Sequence, residues 1–321
     1  MKTALITGGK GQDAYYLTEL LLKKNYRVVL TTRKYDQTYF SQFIKSLNKL
    51  AIQEKNIFIK EVDYFNFDSV NILFDKYNVE EIYNLTGQSN VVLSFDAKKV
   101  SAEEPLIIFD NFINLINKSE NRIKFFQATT SEIFKDIGKK KINEESPLDA
   151  ISPYAIGKLN LHDKLNEARE ERDLFLVSGI MFNHESPRRS DNYLFGYIAK
   201  KVNEIKEGKI NSFEISNLAT VRDWGYSGDY VDAMWQSLNS SEPDDYIIST
   251  GKSYSVEEIL DHSFTSLDLN YKDHIIEKYN PNRDYDVLEK YSDPSKINEK
   301  LGWKAKFDGK SVIDMMINVN K

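Results

Sequence analysis

The run Ala4-Leu5-Ile6-Thr7-Gly8-Gly9-Lys10-Gly11-Gln12-Asp13-Ala14 decides the fold. ALIT is short, apolar and strand-like. It enters a glycine-rich turn, and Tyr15 to Lys24 (YYLTELLLKK) continues with Leu17, Leu20 and Leu21 at helical spacing. A strand, a small-residue turn and a helix N-terminus form the opening of a dinucleotide-binding βαβ unit. Glycine there lets the backbone close on a pyrophosphate at the helix end. The spacing GxxGxxA differs from the GxGxxG of many dehydrogenases.

The next strand-like run, Arg27 to Leu30, ends in Thr31-Thr32-Arg33-Lys34. A carboxylate at this point commonly binds the ribose 2′-hydroxyl of NAD. Two cations suit a 2′-phosphate instead, so the expected cofactor is NADP rather than NAD. Ile57 to Ile59, Glu81 to Leu85, Ile123 to Ala128 and Leu174 to Met181 are further strands, with helical patterns between them and a long helix over Ser152 to Arg172. This alternation predicts an α/β fold: a Rossmann-type doubly wound parallel sheet with a smaller α/β C-terminal lobe. The expected dinucleotide domain spans 1–182, with 221–249 returning to it. Residues 183–220 and 250–321 form the expected nucleotide-sugar lobe.

The chain has 321 residues, a net charge of −6 and no cysteine. The acidic balance argues against a nucleic-acid or anionic-membrane partner. Without cysteine there is no disulfide framework, no thiol nucleophile and no Cys-based metal site. No metal is expected at all. There is no secretory pattern at the N-terminus and no long apolar run, so the expected location is the cytoplasm.

Two segments carry the chemistry. The fifth strand ends in Thr129-Thr130-Ser131-Glu132, and Tyr154-Ala155-Ile156-Gly157-Lys158 follows inside the long helix. Tyr154 and Lys158 lie one turn apart on one face. A lysine ammonium beside a tyrosine favours the phenolate, lowering a pKa normally about 10. Such a tyrosine can take a hydroxyl proton while hydride leaves the same carbon.

The chain resembles the extended short-chain dehydrogenases/reductases, and among them the GDP-mannose 4,6-dehydratase family. The resemblance rests on TGGKGQD (7–13), IYNLTGQSNV (82–91), TSEIF (130–134), SPYAIGKL (152–159), FNHESPRR (182–189), RDWGYSGDYVDAMW (222–235) and DPSKINEKLGW (293–303). It implies a GDP-sugar 4,6-dehydratase, a hydro-lyase that oxidises C4, loses water across C5 and C6, and returns hydride to C6. Catalysis would fall to Thr130, Glu132, Tyr154 and Lys158, with Glu132 as the base at C5. Gly8, Gly11, Gln12, Asp13, Arg33, Asp63, Leu85, His184 and Arg189 would hold the cofactor. Ser89, Asn183, Glu185, Arg222, Arg283 and Asp286 would hold the nucleotide sugar. The superfamily geometry also implies a homodimer, or a tetramer, built through a four-helix contact of Ala102 to Ile116 and Ser152 to Arg172.

Several positions depart from the family pattern. Tyr197 stands where the family has a guanine-contacting lysine, and Val100 where it has a tyrosine. Tyr-Asp-Gln-Thr-Tyr-Phe-Ser-Gln-Phe (35–43) replaces a serine-rich loop that reaches a neighbouring subunit in tetrameric members. Asp286 falls where the family has glutamate. The resemblance makes GDP-mannose the default substrate, and these departures motivate two variants of it. GDP-N-acetylglucosamine, which leads toward a legionaminic-type acid, and a GDP-heptose remain alternatives. A 4-epimerase or reductase on the same scaffold needs no base at Glu132. A catalytically dead sensor would be expected to lack Tyr154 or Lys158.

Overall fold

The computed structural model describes residues 1–48, 54–87, 98–278 and 287–318. The chain divides into two compact units. The first comprises Met1–Ile133, Ala150–Ile180 and Val231–Tyr246; the second comprises Phe134–Asp149, Met181–Tyr230 and Ile247–Lys321.

A seven-stranded sheet organises the first unit. Its strands are β1 (Thr3–Ile6), β2 (Arg27–Thr32), β3 (Ile57–Glu61), β4 (Glu81–Asn84), β5 (Lys124–Thr130), β6 (Leu176–Met181) and β7 (Asp245–Ile248). They lie in the order β7-β6-β5-β4-β1-β2-β3. The pairs β1–β2, β1–β4, β2–β3 and β4–β5 are parallel. Both faces are covered by helices, so TALI and LVSGIM are buried along their whole length. This is the doubly wound Rossmann-type arrangement expected from the alternation of patterns.

The order reverses beside β1, and the polar side chains that fix this edge are buried. Thr7 Oγ1 donates to Asn84 Oδ1 (2.8 Å), and Asn84 Nδ2 donates to Gln127 Oε1 (2.8 Å). The ladder ties together the C-terminal ends of β1, β4 and β5, where ligands of such sheets bind.

Among the helices of this unit are α1 (Gln12–Lys23), α2 (Gln37–Asn48), α3 (Phe67–Tyr77), α4 (Lys98–Lys118) and α5 (Pro153–Arg172). α2 is the departure at 35–43. Phe40, Phe43 and Leu47 recur at helical spacing and are buried within their own unit. Phe43 meets Tyr15 edge-on at 5.1 Å, and Tyr35 stacks on Phe40 at 5.3 Å. α5 begins where the sequence dictates. Ser152 accepts a hydrogen bond from the Ala155 amide, and Pro153 occupies the first turn, where its missing N–H costs nothing. Its inward face carries Ala155, Lys158, Leu161, His162 and Leu165. Leu161 and Leu165 join Phe109, Phe112 and Phe125 in the core.

In the second unit, Val221–Tyr226 is the centre of a three-stranded sheet. It pairs antiparallel with Ser253–Ser255 and parallel with Asn183–Glu185. Phe195, Ile198, Val202, Trp224, Ile259, Phe264 and Ile313 form its core. The segment Phe134–Asp149 also belongs here: Lys141–Ile142 pairs with Tyr291–Ser292. Among the described residues no helix is long and apolar enough to cross a membrane.

Candidate active site

The glycine loop closes tightly between β1 and α1. Gly8 has φ +70°, and a Cβ there would lie 2.8 Å from the Leu85 carbonyl oxygen. A Cβ on Gly9 would lie 2.9 Å from the Thr31 oxygen. Gly11 precedes α1 and donates to the Gly8 carbonyl at 2.8 Å, so the turn curls in front of the helix N-terminus. Gln12 and Asp13 occupy that first turn. Only glycine fits such a cradle, and a pyrophosphate is the group it suits.

At the exit of β2, Arg33 is 65% exposed in its side chain and lies 3.5 Å from Glu104. A pair this exposed is worth about 0–1 kcal/mol, so a phosphate can displace it. Lys10 Nζ lies 3.4 Å from Asp36, and the Lys10 carbonyl accepts from the Tyr39 hydroxyl. Asp63 is exposed beyond β3 and accepts from the Phe65 amide at 3.0 Å.

Thr130 ends β5, and Glu132 sits in the single turn Ser131–Ile133 that follows it. The Glu132 amide is 3.3 Å from Thr130 Oγ1. Ser131 and Ile133 are buried on either side, so the half-buried Glu132 is the member of the turn with access outward.

Tyr154 lies in the first turn of α5 and Lys158 one turn later, about 6 Å along the axis. Lys158 is 5% exposed, and its ammonium donates to the Ala128 carbonyl at 2.8 Å. Gly87, at φ +139°, leaves room over it: a Cβ there would lie 3.4 Å from Lys158 Nζ. Burial pushes the Lys158 ammonium down to about 8. Thr130, Glu132, Tyr154, Lys158, the glycine loop, Arg33, Asp63 and Leu85 thus all belong to the first unit.

The remaining described positions belong to the second unit. His184 Nδ1 bonds the Phe182 carbonyl at 2.9 Å, and its ring lies 4.7 Å from that of Tyr230. Arg189 Nε is 2.8 Å from Glu185 Oε2, and its guanidinium covers the Tyr193 ring at 3.6 Å. Asn183 opens the strand that contains both His184 and Glu185. Arg222 is buried and donates to the Val221 carbonyl at 2.9 Å.

Its neighbour Asp223, which the sequence reading passed over, is the anchor of the RDWG segment. It accepts from the Thr250 amide and hydroxyl, the Gly251 amide and the Ser292 hydroxyl. Burial nonetheless raises its pKa against those four bonds. Tyr197 donates its hydroxyl to the Glu214 carbonyl at 3.1 Å and meets Phe213 edge-on. Ser89, Arg283, Asp286 and the Val100 side chain lie outside the described residues. No cluster of three or more potential metal ligands occurs among the described residues.

The family model for GDP-mannose 4,6 dehydratase matches residues 5–316. GDP-mannose 4,6 dehydratase 1 of Arabidopsis thaliana is 35% identical over 329 residues, covering 99% of this chain and 89% of its own length. Among solved structures, dTDP-glucose 4,6-dehydratase from Bacillus anthracis in complex with NAD aligns with a TM-score of 0.82 at 18% identity, over 99% of this chain and 96% of that one. RMD from Pseudomonas aeruginosa complexed with NADPH aligns at 0.78 and 15%, over 99% and 98%. At such identities the structural likeness speaks for the fold alone.

Proposed function

The chain belongs to the GDP-mannose 4,6-dehydratase family, and on that basis we propose that it is a hydro-lyase converting GDP-mannose to its 4-keto-6-deoxy derivative. The observation that carries this reading is Glu132. It stands one turn past the end of β5, in the same unit as Tyr154 and Lys158. A hydride-handling tyrosine and lysine serve many reactions, whereas elimination of water needs a base at C5.

The cradle of Gly8, Gly9 and Gly11 fits a dinucleotide pyrophosphate; Gln12 and Asp13 would lie along its phosphates and ribose, Arg33 would meet the 2′-phosphate, Asp63 the adenine, and Leu85 would flank the cofactor. The resemblance assigns His184 and Arg189 to the cofactor as well. A nicotinamide held there would supply the hydride acceptor for sugar C4 and the hydride donor for C6. Tyr154, as phenolate, takes the O4 proton, and Thr130 hydrogen-bonds that oxygen. Lys158 stabilises the phenolate and orients the nicotinamide ribose. Once C4 is a ketone, C5 is acidic. Glu132 removes the C5 proton and protonates the departing C6 hydroxyl, which leaves as water. Arg222, Asn183, Glu185, Ser89, Arg283 and Asp286 are assigned to the nucleotide sugar, arginine forks suiting diphosphate oxygens.

NADP is the cofactor we assign, because Arg33 and Lys34 follow β2 where a carboxylate would select NAD. Charge-assisted bonds to a phosphate are worth about 1.5–3 kcal/mol, or roughly 10- to 100-fold in affinity. Arg33→Ala is therefore expected to weaken NADP⁺ binding by about that factor and leave NAD⁺ binding unchanged. Titration calorimetry with both nucleotides reads this, and equal loss for both would remove Arg33 from the choice.

The substrate assignment is tested by offering GDP-mannose, GDP-N-acetylglucosamine, a GDP-heptose and UDP-N-acetylglucosamine separately. The readouts are loss of water by mass and the alkaline absorbance of a 4-keto sugar. The panel is needed because Tyr197 commits its hydroxyl to Glu214 at the position where the resemblance places a base-reading lysine. Dehydration of none of them would end the reading.

We further assign a homodimer through α4 and α5. Ile107 on α4, Ile156 on α5 and Ile151 just before α5 are 45%, 40% and 55% exposed, apolar side chains that a four-helix contact would cover. A monomer at micromolar concentration in light scattering contradicts it.

A further inference from the structure

The polar face of α5 does not end at Lys158. His162 and Asn166 follow Tyr154 and Lys158 at intervals of four, so one stripe of the helix carries all four. His162 is 6% exposed, and its contacts form a chain whose direction is set by the donor inventory of each group.

Arg169 Nη2 donates to Asn166 Oδ1 at 2.6 Å, and Asp245 Oδ2 accepts from Asn166 Nδ2 at 3.1 Å. These two charged groups fix which end of the Asn166 amide is nitrogen. That nitrogen also lies 3.2 Å from His162 Nε2. Since an amide nitrogen only donates, Nε2 accepts, and the proton of the neutral ring resides on Nδ1. Nδ1 donates to Ser178 Oγ at 3.0 Å. The Ser178 hydroxyl then donates to Thr129 Oγ1 at 3.2 Å, and Thr129 passes its own proton toward the Gly179 carbonyl at 3.1 Å. From the Asn166 amide to the Gly179 carbonyl, each hydrogen so assigned has one acceptor.

Burial holds the ring below the ordinary imidazole range. Asp245 and Asp163 pull the other way, and Arg169 acts with the burial. Protonating the ring would set a second N–H against the Asn166 amide at 3.2 Å, with the Asp245 carboxylate farther off at 3.6 Å from the same nitrogen.

Thr129 is the reason the chain matters for the site. On one side of it is Ala128, whose carbonyl holds the Lys158 ammonium at 2.8 Å. On the other is Thr130, to which the Glu132 turn is tied. We propose that His162 is a positioning residue: its Nδ1–H, relayed through Ser178, pins Thr129 and so sets the end of β5 that presents the Lys158 acceptor and Thr130. The proposal rests on the roles assigned above to Lys158 and Thr130, and it adds a residue that touches neither substrate nor cofactor.

The test separates the two ring nitrogens. An asparagine amide nitrogen falls near the position of Nδ1, a glutamine amide near that of Nε2. His162→Asn is expected to keep kcat within about threefold, while His162→Gln and Ser178→Ala each lower it by about tenfold, the scale of one net hydrogen bond, with KM within about twofold. The Gln/Ala double variant is expected to fall no further than either single one, because both break the same relay. Equal losses in the Asn and Gln variants, or full kcat in His162→Gln, would overturn the proposal.

Nitrogen-15 NMR of the wild-type protein decides independently of activity and of any variant's folding. The relay requires the neutral Nδ1–H tautomer at His162, and the Nε2–H tautomer overturns it. A wild-type protein with the Nδ1–H tautomer and no dehydration of any nucleotide sugar would count against the proposed function and leave the relay standing.

Discussion

Tyr154→Phe is expected to retain the fold and cofactor binding and to lose roughly 10²- to 10⁴-fold in turnover, the span of a positioned general base. The hydroxyl belongs to a half-buried side chain in the first turn of α5, and phenylalanine keeps the ring. Lys158→Met is expected to match that loss, with the opposite sign in stability. The folded chain holds Lys158 at about 8 instead of 10.5 because of burial. Each unit is about 1.4 kcal/mol, so the charged lysine costs on the order of 3 kcal/mol of folding free energy near neutrality.

Between pH 8 and 10.5 the unfolded chain binds a proton that the folded chain releases. The Lys158 contribution to stability therefore rises with pH through that window and is constant below it. Thermal melts of cofactor-free protein should show Lys158→Met melting a few degrees higher at pH 7, with the difference shrinking toward pH 10.5. A variant that melts lower at pH 7 and keeps its turnover would refute both halves.

Glu132→Gln is the second large effect. The amide preserves shape and hydrogen-bonding reach but cannot take the C5 proton. Binding of cofactor and nucleotide sugar should persist. Reduced cofactor should accumulate on the enzyme from C4 oxidation, while 4-keto-6-deoxy product and solvent deuterium at C5 fall below detection. This would dissociate the two halves of the proposed reaction, the first assigned to Tyr154 and the second to Glu132. Normal turnover in the variant would move the base elsewhere.

These assignments were legible in the sequence to different depths. The glycine turn and the Tyr154–Lys158 pair are local patterns, with every residue that defines them within about one helical turn of the next. The parallel sheet followed from the same locality, because continuous apolar runs such as LVSGIM alternate with helical stretches. α2 was legible in principle, since Phe40, Phe43 and Leu47 keep a helical period. Its meaning lay in the partner ring of Tyr15, which the period does not name.

The His162 chain was not legible, because its members sit 16 and 49 residues apart and share no motif. A histidine on a helix reads as an ordinary core residue until β6 brings Ser178 beside it. Asp223 is similar: RDWG draws attention to the arginine, whereas the aspartate's partners at Thr250, Gly251 and Ser292 arrive from two later segments. Non-local pairing also takes Phe134–Asp149 into the second unit, through Lys141–Ile142 against Tyr291–Ser292.

The account stands most directly on where one hydrogen goes. GDP-mannose carrying deuterium at C4 is incubated with the wild-type enzyme and its cofactor in ordinary water, and the product is read by mass and NMR. The account predicts a 4-keto sugar that has lost water and carries the deuterium at C6, with C5 protonated from solvent. Deuterium found back at C4, in a sugar that has kept its C6 hydroxyl, would contradict it and make the protein an epimerase.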